Sequence, residues 1–198
     1  MICSLAEIFK QVRNCKECES HLPLGCNPVV RGAESAKIVI IGQAPGTKVH
    51  ASGVPWDDAS GDRLRFWLGL DKSDFYDESK IALIPMGFCY PGRGKSGDLP
   101  PRKECAPLWH ERIFSALPNL QLKILVGSYA QKYYLKNHSL YSKNTTLTQT
   151  VQNWRQFQPN YFPLVHPSPR NQLWLKKNPW FEQELLEPLR AQVLDVLG

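Results

Sequence analysis

Apolar residues along the chain gather into four short runs: Lys37-Ile38-Val39-Ile40-Ile41, Lys80-Ile81-Ala82-Leu83-Ile84, Leu122-Lys123-Ile124-Leu125-Val126 and Tyr161-Phe162-Pro163-Leu164-Val165. Each is short, β-branched-rich and mostly non-alternating, the pattern of strands buried on both faces. Between the runs the spacing changes to that of helices. Leu64, Trp67 and Leu68 share one side of 60–70, and Trp109, Ile113, Phe114 and Leu117 recur through 103–117. Ser4 and Glu7 have capping-box spacing ahead of Ile8-Phe9. Asn178-Pro179 supplies an N-cap and a first-turn proline for a terminal helix reaching Leu197. Alternating strands and helices predict an α/β fold, a three-layer α/β/α sandwich with a central four-stranded parallel sheet.

The 198 residues predict a single domain over 1–198, long enough to bury a substantial core. A hydrophobic content of 42% and a charged content of 21% exclude a largely disordered or collagen-like chain. No apolar run approaches the ~18 residues of a membrane span. The first residues, Met1-Ile2-Cys3-Ser4-Leu5-Ala6-Glu7, have neither a basic start nor an apolar export core, so the expected location is cytoplasmic. Lys and Arg number 24 against 18 Asp and Glu, a formal charge of +6 that favours a polyanionic partner. The stretch Pro91 to Pro101, rich in Gly and Pro with Arg93 and Lys95, reads as a basic surface loop.

The segments after the four runs carry the chemistry. The first run leads into Gly42-Gln43-Ala44-Pro45-Gly46, the second into Pro85-Met86-Gly87-Phe88-Cys89, the third into Gly127-Ser128-Tyr129-Ala130 and the fourth into His166-Pro167-Ser168-Pro169. Ligands of parallel α/β sheets sit at the carboxyl ends of the strands, so four unusual loops there point to one shared site. Six cysteines in a reducing compartment also need a reason other than disulfides. Cys15-x2-Cys18 and Cys89-x15-Cys105 form two pairs able to complete a four-sulfur site, and the second spacing is too wide for a simple zinc ribbon. An iron–sulfur cluster is the preferred occupant, with zinc or no metal as alternatives. Cys3 and Cys26 are left over as small buried or free thiols.

Together these motifs resemble those of the uracil-DNA glycosylase superfamily: Gly42 to Gly46, Gly127 to Ala130, and His166-Pro167-Ser168-Pro169-Arg170-Asn171. The paired cysteines resemble those of its iron–sulfur branch, the fourth family. The similarity runs from about Cys15 to Asn171 in the family's order. It implies a three-layer α/β/α fold, DNA as partner, a flipped nucleotide, hydrolysis of a base–sugar bond, and a [4Fe-4S] cluster on Cys15, Cys18, Cys89 and Cys105. No membrane partner is expected, and the chain is expected to act as a monomer. By resemblance His166 donates to the departing base, the main chain at Gln43-Ala44 holds the base edge, and Trp56 stacks on it. Ser128 and Ser168 pinch phosphates, and Arg170, beside Asn171, falls where related proteins insert a wedge.

Three positions depart from that pattern. Gln43 replaces the Glu common in the iron–sulfur branch, and Ala44 replaces the Asp of the best-known uracil enzymes. Pro85 stands where the branch carries the Asn that recognises uracil, so a deaminated purine such as hypoxanthine or xanthine stays open beside uracil. Asp57 and Asp58 are the nearest replacements for a water-assisting carboxylate, with His50 a weaker candidate; otherwise one aspartate caps the following helix and the other is solvated. Two rivals remain: a damaged-DNA binding protein without turnover, and a nucleotide-phosphate enzyme suggested by Gly94-Lys95-Ser96. The second fails on spacing, because a P-loop needs Gly where Cys89 stands.

Overall fold

The computed structural model describes residues 3–95, 97–142 and 144–198; Met1, Ile2, Ser96 and Lys143 lie outside the described residues, and with them part of the N-terminal and Gly94-Lys95-Ser96 readings. Four strands, β1 (Ile38–Ile41), β2 (Ile81–Leu83), β5 (Leu122–Val126) and β6 (Tyr161–Leu164), form one parallel sheet in the order β2-β1-β5-β6. Two further two-residue strands, β3 (Arg93–Gly94) and β4 (Gly97–Asp98), pair antiparallel as a small hairpin. The helices are α1 (Leu5–Arg13), α2 (Thr47–Ser52), α3 (Ala59–Leu68), α4 (Lys72–Phe75), α5 (Cys105–Ser115), α6 (Ser128–Leu135), α7 (Leu147–Gln152), α8 (Gln172–Lys177) and α9 (Leu186–Leu197).

The largely apolar runs are explained by a core on each face of the sheet. Ile38, Ile40, Ile81, Leu83, Ile124 and Leu164 pack with Leu64 and Trp67 of α3 and Leu189 and Val193 of α9. Their neighbours Val39, Ile41, Ala82, Ile84 and Leu125 pack on the opposite face with Ile8 and Val12 of α1, Trp109 and Ile113 of α5 and Ala130 of α6. Successive side chains point to opposite faces of a strand, so a strand covered on both sides is apolar at nearly every position; Lys123 of β5, half-buried with its ammonium over the Phe114 and Tyr161 rings, is the exception. The three-layer α/β/α sandwich is thus observed. Pro163 is tolerated because β6 is an edge strand with one side free of ladder bonds.

Local signals hold with small shifts. Ser4 and Glu7 form the capping box of α1. The terminal helix differs at its start: Trp180 is its first helical residue, Phe181–Leu185 form a π-helical turn, and α9 continues without a break. The Asn178 side chain donates to the Trp174 carbonyl, so it closes α8 instead of capping the terminal helix. The stretch expected as a basic surface loop contains the β3–β4 hairpin, and Gly97 and Asp98 reach the cavity described below.

Because all four strands of the sheet are parallel, their exits lie along one edge. The Met86 N–H donates to the Gly42 carbonyl at 2.9 Å and Gly87 N–H to the Gln43 carbonyl at 3.0 Å, tying the first two exit loops together. No helix among the described residues is long and apolar enough to cross a membrane.

Candidate active site

A cavity of about 460 Å³ opens at this edge. Its lining includes Gly42, Gln43, Ala44, Trp56, Pro85 and His166, together with Asp58, Ser168, Arg170 and Asn171. Three of the four exit loops therefore meet in one place. Ser128 of the remaining loop is half-buried at the start of α6 and outside the lining. Gly127 before it, at φ 86°, brings that loop against His166: a Cβ there would stand 3.6 Å from the His166 Cβ.

His166 is held from several directions. Its Nδ1 accepts the Ser168 backbone N–H at 3.2 Å, and its carbonyl accepts the Asn171 side-chain amide at 2.8 Å. Arg63 of α3 donates to the Ser168 carbonyl at 3.4 Å and to Gln172 Oε1 at 3.2 Å, bracing the loop against the helical layer. Burial pushes the imidazole pKa below its ordinary value, with the negative charge of Asp58 opposing more weakly. The Ser168 amide acts in the same direction as burial, because a hydrogen on Nδ1 would collide with it. The ring is therefore neutral near pH 7, with its proton on Nε2.

Trp56 faces that ring, with centroids 5.7 Å apart and planes at 33°. The indole is positioned by backbone geometry: Trp56 has φ 58°, in the left-handed region that an L-residue occupies only when held there. Arg65 Nη1 donates to the Trp56 carbonyl at 3.2 Å, and Tyr76 donates its hydroxyl hydrogen to the Pro55 carbonyl at 2.8 Å. Two glycines make room. A Cβ on Gly42 would lie 2.6 Å from Trp56 Cζ2, and one on Gly61 only 1.7 Å from the Trp56 carbonyl oxygen.

The structure separates the two expected aspartates. Asp58 lines the cavity and caps α3, accepting the Gly61 N–H at 2.9 Å. Asp57 is outside the lining and pairs with Lys72 at 3.4 Å. His50 is also outside the lining, its ring 6.2 Å from that of Tyr90. The Gln43 side-chain amide donates to the Leu99 carbonyl at 3.0 Å, anchoring the hairpin to the glycine loop. Pro85 lines the cavity, and its carbonyl accepts from His110 Nε2 at 3.0 Å. Arg170 lies against the hairpin: a Cβ on Gly97 would meet its Nη1 at 2.1 Å. Sequence reasoning missed Asp98, which lines the cavity from β4.

The cysteines Cys15, Cys18, Cys89 and Cys105 lie near enough to feel one another's charge. Burial pushes the Cys89 thiol up to about 12 and Cys105 up to about 11, and charge on neighbouring cysteines pushes further the same way. Cys18 is also raised by burial, with a hydrogen bond from Arg102 opposing. Cys26 packs with Cys18, Leu22 and Cys89. This donor chemistry, several buried thiols from separate segments, fits a four-thiolate group, since only a cation would hold such thiols deprotonated. The side chains are not closed into a shell: among the described residues no three His, Cys, Asp or Glu groups stand in metal-holding geometry.

The profile of the uracil DNA glycosylase superfamily matches residues 29–190. Over 85 residues the chain is 31% identical to the Type-4 uracil-DNA glycosylase of Archaeoglobus fulgidus, a stretch that is 41% of this chain and 43% of that protein. A solution NMR structure of a candidate uracil DNA glycosylase from Methanosarcina acetivorans aligns at TM-score 0.44 and 17% identity, over 82% of this chain and 94% of that one.

Proposed function

The chain belongs to the uracil DNA glycosylase superfamily, and from that premise we propose that it is a monofunctional DNA glycosylase acting on a flipped-out deaminated base, uracil or a deaminated purine, in cytoplasmic base excision repair. The observation that carries this is the ring pair in the cavity, Trp56 beside a His166 whose Nδ1 is already occupied. A base inside a duplex is unreachable, so it must be extruded and held. The Trp56 face offers a stacking surface. The His166 Nε2–H offers a hydrogen bond to an oxygen of the base as the C1′–N bond breaks and the electron pair leaves with the base. A neutral donor aimed at developing negative charge stabilises the transition state more than the ground state.

Ser168, within the His166 loop, and Ser128, at the start of α6 just after the Gly127 that packs on His166, serve as phosphate contacts, with Arg170 and Asn171 adding DNA contacts at the rim. Water, not lysine, completes the reaction, since no lysine lines the cavity among the described residues. Of Asp57 and Asp58, the cavity position of Asp58 favours it as the one nearer the chemistry. Pro85 has no amide to read a base edge, which favours a pocket that tolerates more than uracil. Cys15, Cys18, Cys89 and Cys105 would hold a [4Fe-4S] cluster. When bound, that group supplies a cross-link between the end of α1, the exit loop of β2 and the start of α5.

A second reading, a damaged-site binding protein without turnover, draws on one observation. The glycine loop carries no carboxylate, and its Gln43 side chain is committed to Leu99. The test is a set of duplexes each carrying one uracil, hypoxanthine or xanthine, treated with alkali after incubation to reveal abasic sites. Cleavage at one or more lesions is the expected result. Retained binding with no cleavage at any lesion would replace the glycosylase with the binding protein.

A further inference from the structure

We propose that Asp98 is a catalytic residue: its carboxylate holds the attacking water on the sugar side of the cavity. This rests on the glycosylase reading and adds a residue that no motif points to. Asp98 is the last residue of β4, fixed opposite Arg93 by the hairpin pairing. The hairpin is in turn held to the glycine loop, because Leu99 N–H donates to the Gly92 carbonyl at 2.9 Å and the Leu99 carbonyl accepts the Gln43 amide. A Cβ on Gly46 would stand 3.5 Å from Asp98 Oδ2, so the carboxylate rests against bare backbone of that loop.

The other carboxylates near the site have work to do already. Asp57 pairs with Lys72, Asp58 holds the first turn of α3, and Asp62 pairs with Arg65. Asp98 makes no side-chain hydrogen bond or ion pair among the described residues, yet it lines the same cavity as His166. The charge distribution of the reaction separates the two cavity aspartates. As the C1′–N bond breaks, the base becomes negative and the sugar positive, so a carboxylate helps at the sugar and hinders at the base. Asp58 is held to the first turn of α3 by the Gly61 N–H, which fixes its carboxylate at the helix end. Asp98 enters from the hairpin, which packs against Arg170, the side chain assigned above to DNA contact at the rim, so its carboxylate is on the side where the sugar–phosphate backbone arrives. There the water oxygen bonds to C1′ and the water proton passes to the Asp98 carboxylate, which returns it to solvent.

The test compares binding to two duplexes that cannot be cleaved, one with a pyrrolidine abasic-site mimic that is cationic at neutral pH and one with neutral tetrahydrofuran. Wild type, Asp195→Asn on remote α9 and Asp98→Glu are expected to prefer the cationic duplex by about fivefold or more, the least that a solvent-exposed carboxylate about 4 Å from the cation gives. Asp98→Asn is expected to lose that preference and to slow base release by about a hundredfold or more. A preference that survives in Asp98→Asn, that vanishes only in Asp58→Asn, or that is absent from wild type would overturn the assignment. Failure of the glycosylase reading is told apart by the lesion duplexes: no base released anywhere, while the Asp98-dependent preference persists.

Discussion

Acidification should destabilise this protein through one buried imidazole. His110 of α5 is 2% exposed, stacked on Phe88 with ring centroids 5.6 Å apart, and hydrogen-bonded to Tyr134 and to the Pro85 carbonyl. A carbonyl can only accept, so Nε2 carries the proton and Nδ1 accepts from the Tyr134 hydroxyl. Burial lowers the pKa from 6.5 to about 4, with the Pro85 hydrogen bond opposing weakly. In the unfolded chain the ring takes a proton near its ordinary value, and in the folded protein it resists until about 4. The contribution is therefore fully present above about pH 6.5 and is lost as the pH falls toward 4. The interval is worth about 3 kcal/mol at about 1.4 kcal/mol per pH unit. His166, lowered as well, adds to the same trend. His110→Gln keeps a donor for Pro85 and cannot ionise. Urea unfolding at pH 7 and pH 4.5 should show wild type losing most of that 3 kcal/mol relative to the variant. Parallel pH profiles would refute the reasoning.

The remaining expectations concern the walls of the site. Gly61→Ala drives a methyl into the Trp56 carbonyl and strains the Arg65 contact, so it should cost about 1–3 kcal/mol, lower Tm by about 2–4 °C per kcal/mol, and weaken any lesion binding; an unchanged Tm and affinity would show that Trp56 is not clamped there. Anaerobically purified protein should be coloured and carry about four irons per chain, with both lost in Cys89→Ser; stoichiometric zinc without iron in the wild type would sink the cluster assignment.

The sheet was legible because strands buried on both faces leave few polar positions, and within the four strands only Lys123 of β5 breaks the apolar run. The His166 and Gly42 loops were legible for a related reason: in a parallel sheet every exit falls on one edge, so finding the strands locates the site. The hairpin was not. Its strands are two residues long, too short for any periodicity, and a stretch of Gly and Pro reads equally as a loop. Asp98 was therefore invisible until folding laid it against Gly46. His110 was hidden differently: it sits beside Glu111 and Arg112 in α5 and reads as part of a solvated polar run, while its partners Pro85 and Tyr134 are 25 and 24 residues away. Arg170 was placed in the chain by its motif, but its packing against Gly97 depends on the hairpin.

The role of His166 is tested most directly by the single-turnover rate of base release from a lesion duplex, measured against pH for wild type and His166→Ala. A neutral Nε2–H donor predicts a rate that is full at pH 7, falls only on acidification below the ordinary histidine range, and drops about a hundredfold or more in the variant. A variant as fast as wild type, or a wild-type rate that rises as the imidazole gains its second proton, would contradict it.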